Sequence, residues 1–387
     1  MNNHIIKIIS IFLGFNLLFQ TKLFSQQQAG ASADSSLNTT KNSYWNKLIH
    51  GNVDRSFEQK LDLSFVVAPS YAHEAGFGIG GMATGLYRLD RTDSTMQPSN
   101  IMMSFNASVK GFYAFVVEGN NNFKGNCSRL SYKLAFFNRN MDFWGISYND
   151  CDVNPVINYK RQTAKVYANY QYKLIRNAYA GATIDFMHTR AAKIDNVSYL
   201  KGQNLSYITS GLGVFVQYDS RDFIPNPKRG VHLFLRQMIY PETLSDAGKT
   251  IWRTTFVANC YQQIWSGGTL AFDLYGQASS GNLPWSLREE LGDDNRMRGY
   301  YMGSYIDNNI TSTQVELRQH IAGRFGFAAW IGAGTVFPSM REFDMAKMLP
   351  NCGLGAHFEM KHNVNARIDF GFGKETSGFV LGLSSAF

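Results

Sequence analysis

Long apolar runs are missing from this chain. After the first 25 residues no stretch approaches 18 consecutive apolar residues, which excludes a membrane protein built from spanning helices. Charge is sparse too: Asp, Glu, Lys and Arg make up 17% of the residues. The formal net charge is +8, but the basic residues are scattered and form no run, so no nucleic-acid partner is expected. Only four cysteines occur (Cys127, Cys151, Cys260 and Cys352), at spacings that fit no zinc pattern. The eight histidines likewise show neither a metal-binding nor a serine-hydrolase spacing. No metal, no cofactor and no enzymatic activity is therefore expected.

What is abundant is aromatic side chains, at 14%, and glycine, whose 35 copies outnumber the 9 prolines almost four to one. Mean hydropathy is slightly negative, at -0.22. Aromatic- and glycine-rich yet polar on average is the composition of a transmembrane β-barrel, whose strands alternate rather than run continuously apolar. The N-terminus adds an address. Residues 1–25 carry Lys7 and then an apolar stretch from Ile8 to Phe19, followed by Ser25, Gln26 and Gln27. That pattern is a secretory signal peptide. No cysteine lies near its end, so a lipoprotein is not expected. Residues 26–60 are polar and then mixed, and Trp45, Leu48 and Ile49 at helical spacing predict a short amphipathic helix or a linker in the periplasm.

From Leu61 to Phe387 the period is two. The segment NVNARIDFGF sets Val364, Ala366, Ile368, Phe370 and Phe372 against Asn365, Arg367, Asp369 and Gly371. In TSTQVELRQHI, Val315, Leu317 and Ile321 oppose Gln314, Glu316, Arg318 and His320. The last segment puts Phe379, Leu381, Leu383 and Phe387 on one face. Soluble sandwiches also alternate, with the apolar face inward. Long strands whose apolar faces end in Tyr and Phe favour the inside-out version, with aromatic girdles facing lipid.

Strands are expected near 61–71, 75–89, 100–118, 126–138, 143–151 and 157–176, then near 178–193, 206–219, 230–241, 250–265 and 269–280. After a long loop come 310–322, 324–337, 350–360, 363–373 and 376–387. The fold class is thus an all-β transmembrane antiparallel barrel of about 16 strands, with 14 or 12 as alternatives. Closure requires the last strand to meet the first. A hairpin of 126–138 and 143–151 would bring Cys127 and Cys151 together at its open end, where an exported protein permits a disulfide; two free thiols are the alternative. Both ends of an even-stranded barrel lie on the periplasmic side, which places the 281–308 loop outside the cell.

That loop contains RMRGYY, residues 296–301. A loop of such length without helical pattern is uncommon and usually functional or disordered. RMRGYY followed by QVELR on the next strand resembles the BamA/TamA family of outer-membrane assembly barrels, the bacterial surface antigen family. In that family an Arg-Gly-Tyr or Arg-Gly-Phe loop folds back into the lumen, with five strands after it, as here. GLGVFVQYDSRDFIPNPKRGVHLFLR is similar to the family's strand–turn–strand pattern at Asp219, Arg221, Pro227 and Gly230, and Phe387 resembles its C-terminal insertion signal. The chain departs from the family twice. Residues 26–60 are too few for the POTRA domains of assembly-type members, so a short member lacking them is expected. Gly332 also stands where the family tends to place an aspartate facing the loop arginine.

The resemblance implies that Arg296, Arg298, Gly299 and Tyr300 form the loop motif, with Glu316 and Arg318 as lumenal partners. Arg298 is expected to pair with Glu316 as its one carboxylate, a charge-assisted contact, and Asp369 and Asp273 are the next candidates. Gly299 would let the tip turn closely against the wall. It further implies an outer-membrane location and insertion of other proteins there. In that reading the seam between first and last strands opens, and Gly378, Gly382, Gly76, Gly78, Gly80 and Gly81 permit its distortion. Expected partners are outer-membrane lipid and either unfolded outer-membrane clients or a periplasmic protein. The alternative function is a transport pore, or an accessory structural barrel without insertase activity.

Overall fold

The computed structural model describes residues 56–387, except 73–75, 94, 95, 225, 282, 294, 362, 363, 384 and 386. The expected signal peptide and the expected helix around Trp45 lie outside the described residues.

Alternation is realised as a sheet. Its first strands are β1 (Asp62–Ala72), β2 (Gly76–Tyr87), β3 (Ser99–Ser108), β4 (Tyr113–Asn122) and β5 (Ser128–Phe143). A short helix, α1 (Tyr148–Val153), precedes β6 (Ile157–Ile175), β7 (Ala178–Ala192) and β8 (Ser206–Asp219). Next come β9 (Gly230–Tyr240), β10 (Ile251–Trp265) and β11 (Gly268–Ser280). The long loop carries the two-residue strands β12 (Glu289–Glu290) and β13 (Ile306–Asp307), paired only with each other. The wall resumes with β14 (Asn309–Ala322), β15 (Phe325–Phe337), β16 (Leu349–Lys361), β17 (Val364–Gly373) and β18 (Thr376–Leu383). Every wall strand pairs antiparallel with its neighbours in chain order, giving one 16-stranded sheet.

Polarity is inside out. On β7 Thr183, Asp185, Met187 and Thr189 are buried, while Ile184 and Phe186 between them are exposed. On β8 Leu212, Val214 and Val216 are exposed and face outward together. An apolar outer band and a polar inner face are what a bilayer demands of a barrel wall. The sheet curls around its long loop: Glu290 reaches Arg161 on β6 while Arg298 reaches Asp369 on β17.

The strand count agrees with expectation, but two boundaries do not. The expected strand at 100–118 is two strands, β3 and β4, separated by a tight turn in which Gly111 adopts φ +75°. The expected hairpin of 126–138 and 143–151 is the single 16-residue strand β5 followed by α1. Ser147 starts that helix, its hydroxyl accepting from the Asp150 amide at 3.3 Å. Cys127 and Cys151 therefore flank β5, a strand about 50 Å long at ~3.3 Å per residue. A disulfide needs Cα atoms within about 7 Å, so the expected bridge is replaced by two free thiols. Their reactivities should differ: Cys127 is exposed, whereas burial pushes the Cys151 thiol up to about 12. Maleimide at pH 7.5 will label Cys127 in the folded protein and Cys151 only after denaturation, as peptide mass mapping can show.

Closure also differs from expectation. Among the described residues no ladder joins β18 to β1, which are the two edges of the sheet. β18 has 8 residues against 11 in β1, and its ladder with β17 ends at Ala366–Leu383.

The sidedness of the wall is testable. Val214 is 66% exposed on the outer face; Val214→Arg puts a cation into the hydrocarbon at a cost of about 2–4 kcal/mol near the midplane. Ser104, on the inner face of β3, pairs with Met82 and Val116 across the ladders; Ser104→Arg should be tolerated. Loss of heat-modifiable gel mobility only in the first variant is the expected result.

Candidate functional site

The loop between β11 and β14 folds back into the lumen and seats its tip on the inner faces of β11 and β14–β18. Arg298 is fully buried there. Its Nη2 meets Glu316 Oε2 on β14 at 2.5 Å, and its Nη1 meets Asp369 Oδ2 on β17 at 2.7 Å. The guanidinium lies 3.5 Å from the ring centre of Trp330 on β15. A planar fork over an aromatic face, with a carboxylate at each end, uses every property that separates arginine from lysine.

The expectation of one carboxylate is thus corrected. Gly332 leaves its strand without an acid, and Asp369 supplies the second partner from two strands further on. The pairing continues outward on both sides. Arg318 Nε donates to Glu316 Oε1 at 2.7 Å, and Arg367 Nη1 pairs with Asp369 Oδ2. His357 Nε2 stands 3.8 Å from Asp369 Oδ1. The result is a buried row, Arg318–Glu316–Arg298–Asp369–Arg367, crossing four strands. Arg296, two residues before the tip, has its own partner: its Nε and Nη2 form a bidentate pair with Asp273 on β11 at 2.7 and 2.8 Å. Asp273 also accepts from Asn259 at 2.6 Å.

Backbone contact brings the tip this close. Gly299 has φ +105°, a conformation for glycine, and a Cβ on it would stand 2.4 Å from the carbonyl carbon of Gly371. Tyr300 Oη donates to the Pro350 carbonyl at 2.8 Å and accepts from the Lys374 amide at 2.7 Å. Thr376 Oγ1 donates to the Gly299 carbonyl at 3.1 Å. Two residues of this seat escaped the sequence reading. Asn351 accepts from Trp330 Nε1 at 2.8 Å while its amide donates to the Arg298 carbonyl. Neither Asn351 nor Trp330 belongs to a motif; only the alternation on β15 and β16 places them inward.

The strand–turn motif is a separate structure at the opposite, short-turn end. Arg221 forks onto Asp219 at 2.8 and 2.7 Å. Gly230, at φ +113°, lets its strand pass the Ser220 carbonyl, which a Cβ would approach to 2.4 Å. Pro227 is buried in this turn. Asp222, which the motif omits, organises it by accepting from the amides of Phe223, Lys228 and Arg229. Phe387 leaves the apolar face on which its spacing had set it. Past the end of β18 it turns into the lumen, its ring stacking on Tyr261 at 6.3 Å with Arg318 5.1 Å above it. Among the described residues it has no ladder partner beyond Leu383 to hold it outward.

With this geometry in view, comparison with known proteins is specific. The Omp85 superfamily domain matches residues 103–387. No curated protein matches the chain. Among solved structures, BamA from Haemophilus ducreyi lacking POTRA domains 1-3 is 11% identical, with a TM-score of 0.55 over 84% of this chain and 70% of that one. CdiB from Acinetobacter baumannii is 12% identical, with a TM-score of 0.53 over 84% of this chain and 59% of that one. CdiB from Escherichia coli is 11% identical, with a TM-score of 0.55 over 84% of this chain and 62% of that one. At such identities these likenesses speak for a shared fold, and the chain spans less than two thirds of either CdiB.

Proposed function

This chain belongs to the Omp85 superfamily, and from that premise we propose that it assists insertion of other proteins into the outer membrane by lending them the edges of its sheet. The observation that carries this reading is that, among the described residues, no ladder joins the edges β1 and β18 of the 16-strand meander. An unpaired edge presents a row of N–H and C=O groups on which a client strand can build by β-augmentation. Glycine lowers the resistance to distortion on both sides: Gly76, Gly78, Gly80 and Gly81 lie in β2, and Gly378 and Gly382 in β18. The loop tip bonds to Thr376 at the start of β18, so the seat of the loop and the position of that edge are mechanically linked. No step of this reading requires an enzymatic group, a metal or a cofactor.

The test is reconstitution into liposomes with an unfolded client barrel, recording client folding and ion conductance together. A photo-crosslinking benzoylphenylalanine replaces Phe65 on β1, Phe379 on β18 or Val214 on β8, which are 64%, 70% and 66% exposed. Faster client folding than in empty liposomes, with crosslinks from the two edge positions and not from Val214, is expected. Equal crosslinking at all three, or no acceleration, would reject insertion. Conductance without acceleration would instead favour the second reading, a transport pore.

A further inference from the structure

The long loop fills only part of the lumen. Around its tip the charged side chains are fully enclosed: Arg298, Glu316 and Asp369 are 0% exposed. On the facing wall, lumenal side chains are wet. Lys133 on β5 and Glu118 on β4, paired at 2.9 Å, are 45% and 34% exposed, and Lys165 on β6 is 36% exposed. Side chains that point inward and still touch solvent line water. At the loop end this space is shut by an apolar cluster of Met141, Phe143, Tyr159, Leu200, Trp285 and Ile306.

Directly beneath that seal two arginines stand opposite each other in register, Arg139 on β5 and Arg161 on β6. Like charges directly opposed across a ladder are unfavourable. Arg161 pairs with Glu290 of the long loop and lies 5.6 Å from the Trp285 ring. Arg139 stacks on Phe137 at 4.8 Å and makes no ion pair among the described residues. The Nε of each is buried without a hydrogen-bond partner. Further down, Arg236 donates to Tyr167 and Thr255, again with no ion pair among the described residues, and its Nε is also unpartnered. Native proteins rarely leave such groups unsatisfied unless water or an ion completes them. The lumenal charges named here are of mixed sign but net basic, with Lys133, Lys165, Arg139, Arg161 and Arg236 against Glu118, Asp185 and Glu290, and a cleft with an excess of one sign concentrates the opposite ion.

We infer that this half of the lumen is a water-filled, basic vestibule, open at the short-turn end and blind at the loop end, where Arg139 and Arg161 bind an oxyanion. The chemistry is that of guanidinium forks, which suit phosphate or carboxylate. The source is either a small inorganic ion or an acidic side chain of a polypeptide entering from the periplasm. The inference does not depend on insertase activity.

Planar-bilayer recording on the full chain tests it. The wild-type barrel should conduct poorly because the seal is shut. Trp285→Ala should open it to a current that prefers chloride over potassium in a KCl gradient. Inorganic phosphate, or a hexa-aspartate peptide, added on the short-turn side should reduce that current. Adding Arg139→Gln should raise the half-blocking concentration at least tenfold and shift the reversal potential toward potassium. Arg139→Lys should keep the chloride preference and lose most of the phosphate block, since an ammonium offers no fork. All variants are first checked for heat-modifiable mobility, and Arg236→Gln offers a second route to the selectivity shift should an Arg139 variant not fold. Phosphate block identifies a small ion, and block by the peptide alone an acidic segment. Cation preference, absence of current in Trp285→Ala, or block by neither probe would overturn the assignment.

Discussion

Glu316→Gln will destabilise this barrel more than Arg298→Ala does, although the arginine tethers the loop. The buried row Arg318–Glu316–Arg298–Asp369–Arg367 holds three guanidinium groups against two carboxylates. Removing Arg298 leaves two and two, each carboxylate still paired on its own wall. Removing the Glu316 charge leaves three cations in the row with Asp369 as its one carboxylate, and Arg318 is left with the Phe387 oxygen, 3.3 Å from its Nη2. An uncompensated charge in a buried network costs about 3–5 kcal/mol. Arg298→Ala should therefore register as loop release, with protease cutting within 281–308 while heat-modifiable mobility persists. Glu316→Gln should lower the urea midpoint of the barrel itself. The double variant should be more stable than Glu316→Gln alone, recovering about 0.5–3 kcal/mol, because it removes one of the stranded cations. A double variant no better than Glu316→Gln would mean that the two side chains do not share a network.

That rescue was not foreseeable from the sequence, and the reason is instructive. Alternation along NVNARIDFGF sends Asp369 and Arg367 inward, but it cannot say which inward residues meet. The answer depends on ladder register over four strands, including the pairings Glu316–Trp330 and Gly355–Asp369. Arg298 and Glu316 were legible because both sit in a recognisable pattern around the loop. Trp330 and Asn351, which sandwich and anchor the tip, carry no pattern.

The wall itself was more legible than its ends. A two-residue period survives wherever one face meets lipid, so most strands follow directly from it. It failed where the polar face dominates. Near Asn138, Arg139 and Asn140 the run looks like a turn, yet β5 continues through it, with Asn138 donating to the Gly111 carbonyl of the neighbouring turn at 2.7 Å. The lack of a β18–β1 ladder among the described residues escaped for a different reason: closure was deduced from the need to satisfy backbone groups in lipid, a rule that sequence alone cannot relax.

Gly371→Ala will free the loop as completely as Arg298→Ala, without touching a charge. A Cβ at Gly371 would lie 2.2 Å from the Arg298 carbonyl oxygen, 2.5 Å from its carbon and 2.7 Å from the Gly299 nitrogen. All three are backbone atoms of the tip, so no rotamer change relieves the overlap, and the loop must back away from the wall. Withdrawal by even an ångström breaks the contacts of Arg298 with Glu316 and Asp369, whose geometry is set at 2.5 and 2.7 Å. Gly371 sits in the extended strand β17, where alanine is conformationally acceptable, so the wall should stay intact. Gly299→Ala should go further, since it adds the strain of φ +105°, on the order of 1–3 kcal/mol, to the same overlap. The control is Gly276→Ala on β11, whose added Cβ would find its nearest neighbour 4.0 Å away. Limited proteolysis of 281–308 should show rapid cutting for Gly371→Ala and none beyond wild type for Gly276→Ala. Combining Gly371→Ala with Arg298→Ala should add little, because both release the same segment. Strong additivity, or a protected loop in Gly371→Ala, would mean that the tip is held by something other than this backbone seat and its arginine.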